Sequence, residues 1–383
     1  MLIFPKSGDI LKSQRSTIRV RTMHSRQRKS RWNKGAWLFV ILSAFLALSA
    51  CHSAATPLPT LTLTPTQSPT VNLTPSATLT PVVPTENPDP PGTANNPLVI
   101  SFISEKLDPQ VTTNAAKVAD QLSTLTGLKI ESEVSPTYDW TLKGMQDGGV
   151  HMAFLPPLTY IYASQLGIAK IVLLTDHFGT YEYGTQFLAN AASGLKSYFD
   201  TGLNKDTADA VSALAQLKGK QPCWVDPSSS SGYLLAAGLL KVNNIQTKDG
   251  IFLLTHTSVV RALYIQGICD FGATYALAGD PRTASAVLQD LPDAQDKVTI
   301  LWISDPVIPN YCLALLPSLP SDMQRKITQG MQDLVKTDEG KTTLTIANNY
   351  DIQDFKTADD TDYDALRKMV DVMGVNLDSV LGR

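Results

Sequence analysis

The chain is poor in the residues that metal and covalent chemistry need. Its 383 residues hold five histidines and four cysteines, and none stands at the spacing of a metal site. The motifs G-x-S-x-G, H-E-x-x-H, G-x-x-x-x-G-K-[ST] and G-x-G-x-x-G are missing, so the common nucleophile, metalloprotease and nucleotide signatures are absent. Ser193-Gly194-Leu195-Lys196 matches S-x-x-K, but the SDN and KTG partners that give it meaning are not there. Charge is scarce as well. Charged residues make up 17% of the chain and the net charge is −3, with no basic face for nucleic acid. No metal, cofactor or nucleic acid is therefore expected, and a secreted hydrolase is the weaker reading. What is present is an ordinary globular share of apolar residues, 43%, in a length that suits about two domains.

The averages hide a segmented chain. Arg21, Arg26, Arg28, Lys29, Arg31 and Lys34 form a basic cluster without an acid, and Ala36–Ala50 follows with no charge. That apolar run fits a signal-peptide core and is short for a spanning helix, which needs ~20 residues. It ends in Leu48-Ser49-Ala50-Cys51, which resembles a bacterial lipobox. Cleavage before Cys51 and lipidation of its sulfur are expected, which makes the protein extracytoplasmic and attached to the cell membrane through lipid. Met23, within the start of this basic stretch, is an alternative start.

Residues 56–97 hold eleven prolines and eleven threonines, and only Glu86 and Asp89 are charged. Proline fixes φ and removes a donor, so this stretch reads as an extended, partly polyproline tether.

From Leu98 the pattern becomes globular. Leu98–Ile103 reads as a strand, Val111–Leu125 as an amphipathic helix, and strands follow around 128–134, 151–155 and 168–175, with a short helix at 140–149. A second β/α series covers 183–190, 219–227, the helix that opens in the serine run, 251–256, a helix at 258–266, 268–276, 298–304 and 310–316. Two terminal helices are expected around 321–337 and 362–374. The fold class is thus α/β, two mostly parallel sheets flanked by helices with a cleft between them. The expected organisation is 1–50 signal, 51–97 anchor and tether, 98–180 plus 315–383 lobe one, and 181–314 lobe two.

The most informative segment is Asp226-Pro227-Ser228-Ser229-Ser230-Ser231-Gly232-Tyr233. A strand feeds a run of hydroxyls that opens a helix. Helix N-termini carry unpaired N–H groups and partial positive charge, which suits an anion such as phosphate. One serine can simply cap the helix; four exceed that need.

This segment resembles the DPxSTSGY signature of the phosphate-, phosphite- and phosphonate-binding proteins of ABC importers, the PhnD-like family. Further blocks resemble the same family in the same order: Ser135–Tyr138, Phe154–Tyr160, Thr255–Leu263, Gly267–Ala273 and Ser304–Asn310. One departure is Phe154-Leu155-Pro156-Pro157, where the family has Trp-x-Gly-Pro. The resemblance implies the two-lobed type II periplasmic-binding-protein fold and a small phosphorus oxyanion held by lobe closure. It implies that Ser229, Ser230, Ser231 and the N–H groups of Gly232 and Tyr233 grip the oxyanion. Tyr138 and Tyr160 are expected to donate from the first lobe and His256 from the second, with Asp270 placed for a ligand amine. Each also has a plain structural reading, as core packing, a surface histidine or a turn carboxylate. The implied partners are a small anionic solute and an ABC permease, and the protein is expected to be a monomer. A sensor domain for a membrane kinase has the same fold and site.

Lipidation of Cys51 leaves Cys223, Cys269 and Cys312. In a doubly wound lobe with strand order 2-1-3, the strands of Cys223 and Cys269 are neighbours, within disulfide reach if register allows. A bridge between them and three free thiols are both open.

Overall fold

The structure is a computed structural model that describes residues 89–381. The signal segment, Cys51 and most of the tether lie outside the described residues. The compact part starts ahead of Leu98: the Gly92 N–H donates to the Asn96 carbonyl at 2.7 Å, and Lys129 N–H donates back to Gly92. Gly92 takes φ 79° in this turn, a conformation glycine adopts without strain.

In chain order the strands are β1 (Leu98–Ile103), β2 (Ile130–Ser135), β3 (Met152–Leu155), β4 (Lys170–Thr175), β5 (Glu182–Asn190), β6 (Phe199–Asp200), β7 (Lys205–Asp206), β8 (Pro222–Trp224), β9 (Ile251–Phe252), β10 (Phe271–Ala276), β11 (Val298–Ile303), β12 (Ile308–Pro309), β13 (Cys312–Leu315) and β14 (Phe355–Thr357). The first sheet has the order β14-β4-β13-β3-β1-β2 and the second β11-β5-β10-β8-β9, with β12 on β5. β1 pairs in parallel with β2 and β3, and β8 with β9 and β10. The pairings of β13 with β3 and β4, and of β5 with β10 and β11, are antiparallel. β13 and β5 are the strands that arrive from the opposite sheet, so they enter against the run of their neighbours. The sheets are mixed for that reason.

Sequence patterning explains the elements. The helix Pro109–Thr126 begins with Asp108, whose carboxylate accepts from Gln110 N–H at 2.8 Å, and with proline in the first turn. It ends at Gly127 with φ 70°. Val111, Ala115, Val118, Ala119 and Leu122 are on its buried face, and the last four share a core with Leu98, Ile100 and Phe102 of β1. The helices Ser321–Leu334 and Asp338–Asn348 close the same core through Ile327, Met331 and Leu344. The last of these helices, β14 and the helix Pro157–Gln165 lack a sequence-level expectation.

The chain crosses between sheets twice. The first crossing is the tight turn Asp176–Tyr181, and the second is Asn310-Tyr311. They run side by side: Asn310 N–H donates to the Tyr181 carbonyl and Thr175 N–H to the Tyr311 carbonyl, both at 3.0 Å. Residues 312–314 therefore lie in the first sheet and not, as expected, in the second lobe. A third link is the helix Asp364–Met373, packed against the helix Ala236–Val242; a Cβ on Gly238 would sit 2.9 Å from Met369 Sδ.

Candidate ligand site

The serine run sits where β8 ends. Ser229 is the N-cap, and its hydroxyl accepts from Gly232 N–H at 3.0 Å. The first turns, Ser230–Leu235, are π-helical, with Leu234 N–H donating to the Ser229 carbonyl, and the helix then continues as Ala236–Val242. Wide π turns inside helices are often found at functional sites. Glycine is required at 232 because a Cβ there would lie 2.3 Å from Val225 Cγ2. The Thr185 hydroxyl on β5 donates to the Ser231 carbonyl at 2.8 Å and pins the helix start to the sheet. Among the described residues, the N–H groups of Ser230 and Ser231 find no partner.

Beside this helix start is a cavity of about 240 Å³ at the two crossings. Ser231 lines it from the helix, Tyr183 from β5, Asn310 and Tyr311 from the second crossing, and His256 and Tyr275 from the second lobe. Tyr350 stacks on Tyr311 with ring centroids 4.2 Å apart, and His177 stacks on its other face at 3.9 Å. The Ser230 hydroxyl donates to Tyr183. Tyr138 is one step back, its hydroxyl donating to that of Tyr311. Burial pushes the phenols of Tyr138, Tyr183, Tyr311 and Tyr350 up, so they stay neutral hydrogen-bonding groups.

His256 is the first residue of the helix His256–Ile265, capped by Thr255, rather than a strand end. Its ring meets Tyr275 edge-on at 4.7 Å, and its Nδ1 is buried without a partner among the described residues. Burial lowers its pKa to about 4, so it is a neutral imidazole near neutral pH. A second buried atom without a partner, Asn310 Oδ1, belongs to the same lining. Buried polar atoms are nearly always satisfied, so two unsatisfied ones on one cavity wall fit a site built for a polar ligand.

Several expectations are corrected. The Tyr160 ring packs on Tyr363 with centroids 4.5 Å apart, its hydroxyl donates to Asp360 at 2.7 Å, and it does not line the cavity. Asp270 accepts from Gln221 N–H at 2.7 Å and ties the start of β10 to the strand beside it. It is a structural carboxylate away from the cavity. The Gly232 N–H is spent on the Ser229 cap; the Tyr233 ring packs on Trp224 and Phe252, which leaves the expectation for its N–H as it stood. Ser229 is a capping residue. Of the expected donors, Ser230, Ser231 and His256 come together, with Tyr138 behind them. Sequence reasoning missed Tyr183, Tyr311 and Tyr350 and gave Asn310 no role, although Asn310 closes one of the motif blocks. Cys223 and Cys269 form a disulfide, and Cys312 is a buried free thiol. Ser193 and Lys196 are exposed, and the lysine lies over Tyr198, which leaves the S-x-x-K match without a site.

The family described as "ABC transporter, phosphonate, periplasmic substrate-binding protein" has a sequence model that matches residues 100–363, more than half of the chain. The chain belongs to this family. As a phosphonate-family substrate-binding protein it is a solute-binding component for import, and it works with a permease. It is 28% identical over 267 residues to the phosphate-import protein PhnD of Mycolicibacterium smegmatis, covering 65% of this chain and 77% of that protein. Among solved structures it is similar to XAC2383 from Xanthomonas citri bound to chloride, with TM-score 0.55, 16% identity and coverage of 72% and 97% of the two chains. It is also similar to PhnD1 from Prochlorococcus marinus in complex with methylphosphonate, with TM-score 0.51, 15% identity and coverage of 72% and 98%. Both likenesses show the two-lobed fold of these binding proteins. Among the described residues no helix is long and apolar enough to cross a membrane.

Proposed function

We propose that the protein captures a small phosphorus oxyanion in the cavity at the serine helix and delivers it to an ABC permease from a lipid anchor. The observation that carries this reading is the meeting of unpaired Ser230 and Ser231 N–H groups with two unsatisfied buried polar atoms, His256 Nδ1 and Asn310 Oδ1. A buried anion needs many donors to offset lost hydration. The helix start supplies them through dipoles, which suits a chain of net charge −3.

The lining, as described, has no Asp, Glu, Lys or Arg, and most of it is aromatic. With Asp270 occupied elsewhere, no carboxylate among the described residues is in place for a ligand ammonium. The best ligand is therefore phosphate, phosphite or a phosphonate with an uncharged substituent. Calorimetry should show methylphosphonate or ethylphosphonate binding at least about tenfold tighter than 2-aminoethylphosphonate, since an unpaired buried charge is costly. Tighter binding of the amine would contradict this assignment.

The anchor reading rests on Leu48–Cys51 after an apolar run. The mature protein is expected to begin at an acylated Cys51 and to partition into detergent. A Cys51→Ser change should release it or leave it unprocessed; intact-mass analysis that finds another N-terminus and no lipid overturns the anchor and leaves the binding site untouched.

A further inference from the structure

We propose that Asn310 makes the site selective for an oxyanion that still carries a proton, so that a P–OH is bound and a proton-free sulfonate is rejected. The inference rests on the oxyanion reading and specifies the chemical form of the ligand.

Asn310 is 1% exposed and stands at the second crossing, on the cavity wall. Its side-chain nitrogen donates to the Thr180 carbonyl at 2.6 Å and the Thr175 carbonyl at 3.3 Å. Those two bonds fix the orientation of the amide, because a flipped side chain would set its oxygen against two carbonyl oxygens. The atom left over is Oδ1, which can only accept. It has no partner among the described residues. A buried acceptor without a donor is unfavourable, and a ligand that brings a hydrogen removes the imbalance. A monoprotonated phosphonate or phosphate offers one on its P–OH. A sulfonate of the same shape and the same single negative charge offers none and sets a second lone pair against Oδ1.

The rest of the site leaves this choice to the ligand. Tyr183, Tyr311 and Tyr350 face the cavity from three elements, and all stay protonated because burial raises them. Burial holds His256 neutral, with its pKa at about 4, and also lowers His177. The carboxylates that act on this shell, Asp176 and Asp351 on His177 and Asp280 on Tyr275, stand outside the lining. Nothing on the protein side is therefore set to change charge near neutral pH. Donors from the serine helix hold the charged oxygens, and Asn310 reads the protonated one. The same amide nitrogen joins both crossings, so the residue that reads the proton also ties them together.

The test uses the wild-type protein and the isosteric pair methylphosphonate and methanesulfonate, titrated by calorimetry at mildly acidic pH, where both are monoanions. Methylphosphonate is expected to bind at least about 100-fold tighter, the scale on which a site built to bond a hydroxyl rejects an analogue lacking it. Its affinity is also expected to fall as pH is raised through its second ionisation. Equal binding of the sulfonate, or an affinity unchanged across that ionisation, overturns the role of Asn310 and leaves the oxyanion reading standing. If neither methylphosphonate nor phosphate nor phosphite binds at any pH, the oxyanion reading fails, and this inference falls with it.

Discussion

Changing both Ser230 and Ser231 to alanine is expected to weaken oxyanion binding by roughly two to three orders of magnitude. Hydrogen bonds to a charged group are worth ~1.5–3 kcal/mol each, and ~1.4 kcal/mol is tenfold in affinity. Ser231 lines the cavity directly, while Ser230 is not in the lining and acts on Tyr183. The effect of Ser230 is therefore the smaller, which sets the range at its lower end. The fold should survive, because the helix cap is made by Ser229, a different side chain. Ser229→Ala supplies the contrast. It should lower stability by about 1 kcal/mol, the usual cost of a lost cap, with a much smaller effect on affinity. Equal affinity of the double variant and the wild type for the same phosphonate would place the site elsewhere.

Removing the disulfide should have the largest effect on stability. The bond joins Cys223 and Cys269 across 46 residues. Chain-entropy reasoning gives about 4 kcal/mol for a loop of that length, before any relaxation of the native state. The closed loop contains the serine helix, β9 and the helix Ser258 belongs to, so it spans most of the second lobe's share of the site. Cys223→Ser with Cys269→Ser should therefore lower the thermal midpoint by several degrees and shift the denaturant midpoint by a matching amount. Cys312 provides an internal reference. It is fully buried and burial pushes its thiol up to about 12, so it should resist alkylation until the protein unfolds. Peptide mapping that finds unmodified thiols at 223 and 269 in the native protein would rule the bridge out, and an unchanged midpoint in the double variant would remove its energetic role.

How much of this was legible in the sequence depended on the kind of signal. Periodicity was enough for β1, the helix that follows it and the return of the β/α pattern, because each has a buried face written at a regular spacing. The serine run stood out because four adjacent hydroxyls exceed what capping needs. Even there, only the structure separates the capping Ser229 from the cavity-facing Ser231. Tyr160 and Asp270 were misread for one reason: a motif places a residue at an element end without saying which way its side chain turns. Tyr160 turns to Asp360, a residue 200 positions away, and no local pattern contains that pairing. Tyr350 is the same case in reverse. It follows Asn349, the left-handed cap with φ 45° that ends a helix with no expected boundary, and reaches the site only because the C-terminal segment folds back on the crossing. Asn310 was in view as part of a motif block. Its importance rests on a spent amide nitrogen and an unspent oxygen, and both depend on the two crossings lying side by side.

The most direct measurement is a crystal structure of the protein with methylphosphonate. The phosphorus is expected in the cavity beside Ser231, with charged oxygens accepting from the Ser230 and Ser231 N–H groups and the Ser231 hydroxyl, one oxygen meeting His256, and the protonated oxygen donating to Asn310 Oδ1. Phosphorus density away from the start of the serine helix, with this cavity holding only solvent, would contradict the account.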